Sequence, residues 1–154
     1  EKSKKHILFM SNPDRPEKNY NLAKQAYNLL NENNIVLHVI YNISNDKIPH
    51  YYYSADLLLL TSLWEGSPNV IKEAMACNLP IVSTDVGDVK EVIGSTEGCY
   101  ICSYDPKDVA EKIKMALDFG KRTNGRERII KLGLDADNIA KKIINVYDKV
   151  LERS

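Results

Sequence analysis

Cysteine is scarce in this 154-residue chain. Cys77, Cys99 and Cys102 make an odd count that builds no disulfide framework and fits a reducing, cytoplasmic setting. Glycine (7) and proline (6) are too few for a collagen-like or low-complexity chain. Charge of one sign is missing as well, since 21 Lys and Arg face 21 Asp and Glu. A nucleic-acid binder draws its affinity from positive excess, so no nucleic-acid partner is expected, though net zero leaves room for a local cationic pocket. No apolar run approaches the ~20 residues of a membrane span; the longest bursts, such as Leu57–Leu60, are four residues. Glu1-Lys2-Ser3-Lys4-Lys5 runs straight into an apolar segment without an initiator Met. It reads as no signal peptide and is expected to be a cut from a larger protein.

What is present is ordinary globular composition, 44% hydrophobic and 27% charged. The length suits a single domain over residues 1–154 with a core that needs no staples. Short apolar runs at His6–Met10, Ile35–Ile40, Leu57–Thr61, Pro80–Ser83 and Gly98–Cys102 read as strands. Between them, Asn19–Asn31 carries Leu22, Ala23, Ala26, Leu29 and Leu30 at helical spacing. A polar loop over Asn42–Pro49 leads to a short helix over Tyr51–Ala55. A further helix runs to Cys77, with Ser67 as its N-cap and Pro68 at its first position. Asp88–Ile93, Pro106–Leu117 (capped by Asp105), Thr123–Leu132 and Asp137–Leu151 complete the set. Strands alternating with helices predict an α/β, Rossmann-like fold with a parallel sheet and helices on both faces. Ligands of such sheets bind beyond the carboxyl ends of the strands, which directs attention to the loops after the first three.

The loop after the third strand is Ser62-Leu-Trp-Glu-Gly-Ser-Pro-Asn-Val-Ile-Lys-Glu73. The helix it opens offers N–H groups near Asn69 and Val70, and its positive end suits an anion. Gly66 permits close backbone approach. Glu65 and Glu73 flank that end, and carboxylates accept paired hydrogen bonds from sugar hydroxyls. Phosphate between two sets of hydroxyls is the shape of a nucleotide sugar. The first loop adds Arg15 and Lys18, a rigid fork and a point charge able to reach a diphosphate. A plainer account makes the two glutamates surface carboxylates and the two cations solvated charges beside a helix start.

Asp56–Ile93 resembles the donor-binding segment of GT-B glycosyltransferases of the large retaining family called family 4, or group 1. Glu65 and Glu73 match its E-x7-E motif, and the run from Glu65 to Gly87 is similar to its signature almost position by position. The resemblance extends from Lys5 to Val150 and implies the C-terminal half of that fold. It implies that Glu65 contacts the donor sugar, that Glu73 holds the nucleotide ribose, and that Gly66, Ser67, Pro68, Asn69 and Val70 hold phosphate or sugar. Arg15 and Lys18 would neutralise the diphosphate leaving group. No metal or other cofactor is expected. The implied partners are a nucleotide sugar, the chain's own N-terminal acceptor domain, and a membrane surface or lipid-linked acceptor at the cytoplasmic face. Three departures stand out. Between Asn34 and Asp56 there is room for one strand and a short helix where many members have an additional βα unit, which bears on the nucleotide-base contacts that the resemblance implies around residues 41–47. The family's Gly-Arg after the first strand is Ser11-Asn12, so Arg15 must reach by a shifted route, and its Gly-Gly after the fourth strand is Gly87-Asp88. A nucleotide-sugar epimerase of the same fold and a non-catalytic nucleotide-binding domain are the competing readings.

Other residues point elsewhere or nowhere. Cys99 and Cys102 have CxxC spacing but fall on a strand, where such positions face opposite sides. Asp135-Ala136-Asp137 matches D-x-D, yet Asp137 reads as the N-cap of the last helix. His6, His38 and His50 lack a nucleophile or carboxylate arrangement around them, and Tyr51-Tyr52-Tyr53 reads as a packed short helix. Lys121, Arg122, Arg126 and Arg128 read as one face of solvated charge.

Overall fold

A computed structural model describes residues 3–152. Strands β1 (Lys5–Phe9), β2 (Ile35–Val39), β3 (Leu57–Leu60), β4 (Ile81–Thr84) and β5 (Cys99–Cys102) form one sheet in the order β2-β1-β3-β4-β5. Every neighbouring pair is parallel. All four leucines of β3 are buried because β3 is central and both its faces are covered. Leu57 and Leu59 join Ile7, Phe9 and Val82 under α1 (Tyr20–Leu30) and α5 (Pro106–Asp118). Leu58 and Leu60 join Leu8 and Ile81 on the other face, under α2 (Ile48–Ser54), α3 (Asn69–Ala76), α4 (Val89–Ile93) and α6 (Gly125–Lys131). α7 (Ala136–Leu151) closes the chain with no buried residue.

Asparagines set several boundaries. Asn19 and Asn31, at φ 50° and 49°, bracket α1, and Asn78, at φ 54°, follows α3. The left-handed region suits Asn better than most residues, so these positions stop helices without glycine. Leu29, grouped with the buried stripe of α1 in the sequence, is half exposed. The helix expected at Tyr51–Ala55 starts earlier, at Ile48, after a 3-10 turn over Asn45–Lys47. Pro49 lies in its first turn, where a missing N–H costs nothing.

Three further expectations need correction. Ser67 is not the cap of α3; Pro68 holds that place with extended backbone (ψ 120°), and no side chain caps the helix. Asp135, not Asp137, caps α7 by accepting from the Asn138 N–H at 3.1 Å. The basic cluster is only in part a solvated face: Lys121 and Arg126 are exposed, whereas Arg122 and Arg128 are engaged. The Arg122 guanidinium donates to the carbonyls of Tyr52 (3.1 Å) and Tyr53 at the end of α2. The Arg128 guanidinium donates to the carbonyls of Val92 (2.6 Å) and Glu91 (2.6 Å) at the end of α4. Both arginines satisfy carbonyls a helix end leaves open.

Cys99 and Cys102 do face opposite sides of the sheet, in the two separate cores. Burial pushes both thiols up to about 12, so both stay protonated at neutral pH.

His6 on β1 and His38 on β2 share a hydrogen bond, Nδ1 to Nε2, of 2.8 Å. One ring must be neutral to accept it. Burial first, and the neighbouring His6 charge second, hold the His38 pKa below its ordinary 6.5. The unfolded chain therefore binds the proton that the folded chain refuses. Stability should be full above about pH 6.5 and fall as pH drops from there towards the lowered folded value. Urea midpoints measured from pH 8 to pH 5 should decline over that window. A His38→Gln variant should decline less.

Candidate functional site

In this strand order β1 lies between β2 and β3: the chain runs from β1 out to β2 on one side, then crosses back past β1 to β3 on the other. The crevice lies where such connections diverge, beyond the carboxyl ends of β1 and β3. The loops leaving these two strands meet there. Thr61, fully buried, turns its hydroxyl to the carbonyls of Lys18 (3.1 Å) and Asn19 (3.0 Å). The Leu63 N–H donates to the Glu17 carbonyl at 2.8 Å. These bonds fix the first loop, with its 3-10 turn over Pro16–Lys18, against the third.

Lys18 and Glu65 consequently form an ion pair through Glu65 Oε1, each side chain only 15% exposed. The Ser62 hydroxyl donates to the same oxygen at 2.8 Å. A carboxylate held by an ammonium and a hydroxyl is fixed in place while its second oxygen keeps acceptor capacity. Arg15 is not brought to this pair. Its guanidinium donates to Glu17 Oε1 (2.7 Å from Nε), and its side chain is largely exposed. Backbone hydrogen bonding first, and that arginine after it, lower the Glu17 carboxyl pKa from its ordinary value.

Gly66, Ser67, Pro68, Asn69 and Val70 form the entry to α3, with Asn69 and Val70 as its first two residues. The ladder resumes only where the Ile71 N–H meets the Pro68 carbonyl at 3.2 Å. With no side-chain cap, this end keeps the donor character of an open helix start. The loop after β4 packs on it. The Asp88 N–H donates to the Gly66 carbonyl at 3.2 Å. Ser67 donates to Asp88 Oδ2 and accepts from Lys72, and Lys72 lies 3.9 Å from the same carboxylate. Asp88, standing where the family has glycine, thus carries its negative charge balanced by Lys72.

Glu73 lies on α3, one face of which is core. It pairs with neither Lys72 nor Asn69 but accepts from the Tyr52 hydroxyl at 2.8 Å. Sequence reasoning missed Thr61, Ser62, Tyr52 and Asp88 as supports. Their partners lie 3 to 43 residues away, and only the fold joins most of them. A 640 Å³ cavity bordered by Thr96, Phe119, Arg122 and Arg128 lies away from these loops. Its two arginines are already committed to carbonyls, and the open crevice above the sheet is the better candidate.

Residues 15–135 match the model of the family described as glycosyl transferases group 1, and the chain belongs to that family. A glycosyltransferase of Methanocaldococcus jannaschii is 30% identical over 115 residues, covering 71% of this chain and 30% of the relative. The lipopolysaccharide core biosynthesis mannosyltransferase LpsB of Rhizobium meliloti is 32% identical over 112 residues, covering 68% of the chain and 32% of the relative. A glycosyltransferase structure from Rickettsia africae superposes with a TM-score of 0.81 at 15% identity, over all of this chain and 50% of that one. The fold is therefore the one found in half of a solved glycosyltransferase. The chain spans about a third of the length of these curated relatives. The epimerase reading finds no support among them. Among the described residues no helix is long and apolar enough to cross a membrane.

Proposed function

We propose that this chain is the C-terminal, donor-binding domain of a GT-B glycosyltransferase that moves a hexose from a nucleoside diphosphate to an acceptor with retained anomeric configuration. The observation that carries this is the Lys18–Glu65 pair, anchored by Thr61 and Ser62 beside the uncapped start of α3. A cation, a fixed carboxylate and open N–H donors suit a substrate with phosphate next to hydroxyls.

The reaction breaks the bond between the anomeric carbon and the diphosphate oxygen. Positive charge grows on the sugar and negative charge on the leaving group. Lys18 and the N–H groups at Asn69 and Val70 stabilise the negative side. Arg15 joins them by leaving Glu17, which its exposure permits. Glu65 accepts from the sugar hydroxyls and Glu73 from the ribose, with Gly66, Ser67 and Pro68 shaping the backbone between. The transfer needs no metal in this reading. The acceptor, lipid-linked or polysaccharide, enters from an N-terminal domain at the cytoplasmic face of a membrane. α7 packs back on that domain through Ile143, Ile144, Tyr147 and Val150, all more than half exposed.

An NMR titration with UDP, GDP, ADP and their sugar conjugates, without metal, tests the donor site. Saturable shifts should cluster at Lys18 and at residues 65–73. Shifts elsewhere, or none in either this chain or the full-length protein, would leave a non-catalytic domain as the better account.

A further inference from the structure

Tyr52 is a buried aromatic to which the donor reading gives no role. Its ring is 1% exposed, packed with Leu8, Leu58 and Ile71 in the core beneath α2 and α3. A Phe would fill that space as well. The hydroxyl makes the difference, because it donates to Glu73 Oε2 at 2.8 Å. Glu73 is half-buried, so water was available to it, yet the contact is made by a side chain that cannot turn away. The backbone behind Tyr52 is fixed too. The Arg122 guanidinium holds the Tyr52 and Tyr53 carbonyls, and the Ala55 N–H closes on the Tyr51 carbonyl at 3.1 Å. Arg122, Tyr52 and Glu73 thus form a chain of contacts from the loop after α5 to the second carboxylate of the E-x7-E pair.

We propose that Tyr52 is a positioning residue for nucleotide recognition. Its hydroxyl ties down one oxygen of Glu73, so that the other is presented in one orientation to the vicinal hydroxyls of a nucleoside diphosphate. Because it is a neutral donor to an anion, it also takes up acceptor capacity that would otherwise draw in water. Burial, followed by the Glu73 charge, pushes the phenol far above its ordinary range, so it stays a donor at every working pH. This inference rests on Glu73 holding the ribose.

The test uses the full-length protein and calorimetric titration with UDP, GDP and ADP. The one that binds is then compared with its 2′,3′-dideoxy form. Tyr52→Phe removes one oxygen from a packed ring and leaves Glu73 open to water, so the fold persists, and thermal melting checks this. The variant should bind the ribonucleotide about three- to tenfold more weakly, the scale of one hydrogen bond made less well. It should bind the dideoxynucleotide as the parent does. Equal loss for both ligands would show a merely structural role, and no loss for either would remove Tyr52 from recognition; each overturns the proposal. Glu73→Gln separates this inference from its premise. If that variant keeps the parent's preference for ribose, the assignment of Glu73 itself fails. If it loses the preference while Tyr52→Phe keeps it, only the inference about Tyr52 fails.

Discussion

Lys18→Ala is expected to lower the rate of sugar transfer by the full-length protein about 10²–10³-fold, the usual cost of deleting one preorganised donor at a developing anion. Two effects combine. The ammonium that faces the leaving diphosphate is gone, and Glu65 loses its ion-pair partner while only Ser62 remains on that oxygen. Both side chains are 15% exposed, so water restores little of what is lost. Stability should also fall, by about 1–2 kcal/mol for a pair that is only partly buried. Rates measured well below the melting transition separate the two consequences. Lys18→Arg keeps the charge but changes the fork geometry, so it should recover part of the rate. Turnover of Lys18→Ala within threefold of the parent at saturating donor would remove Lys18 from the mechanism. Arg15→Ala is expected to cost less, because Arg15 begins on Glu17 and must move to contribute.

The sheet was legible because its cause is local. Four successive leucines in β3 require cover on both faces, and alternating helical segments supply it. That reasoning also led to the loops after β1, β2 and β3, of which the first and third meet at the divergence of the strand order. Caps were less legible. Ser67 precedes Pro68 as a cap should, but its hydroxyl is engaged by the side chains of Asp88, from the loop after β4, and Lys72, from within α3, rather than by the helix's first N–H groups. Asp135 and Asp137 are equally good caps in sequence, and only the backbone turn decides for Asp135. Arg122 and Arg128 looked like solvent charge because their acceptors are main-chain carbonyls 36 to 70 residues away, which side-chain patterns do not encode.

The site shows the same division. Glu65 and Glu73 stood out by spacing and by their neighbourhood. Their states did not. Glu65 is fixed by Lys18 from 47 residues away and Glu73 by Tyr52 from 21 residues away. Pairing Arg15 with Lys18 as equal partners was reasonable from three residues' separation. The 3-10 turn over Pro16–Lys18 instead sends one inward to Glu65 and leaves the other outside with Glu17.

Gly87→Ala should be among the most damaging single-methyl changes in the protein. Gly87 has φ +54°, which an L side chain adopts only at a cost of about 1–2 kcal/mol. Its added Cβ would also stand 2.0 Å from the Gly66 carbonyl oxygen and 2.8 Å from that of Glu65. These are main-chain atoms, so no side chain can swing aside to make room. Relief requires the loop after β4 to lift from the loop after β3. That movement breaks the bond from the Asp88 N–H to Gly66 and pulls Asp88 from Ser67. The expected loss is about 2–4 kcal/mol, or roughly 5–15 °C in melting temperature for a domain of this size. The entry to α3 lies on the far side of the same contact, so nucleotide binding should weaken even where the variant is fully folded. Gly94→Ala provides the comparison. Gly94 also has positive φ, but its Cβ would meet the Arg128 guanidinium, a side-chain group far from the crevice that can shift only by loosening its bonds to the Glu91 and Val92 carbonyls. It should lower stability and leave nucleotide affinity unchanged. If Gly87→Ala melts with the parent and binds nucleotide as tightly, the close approach of these two loops does not shape the donor site.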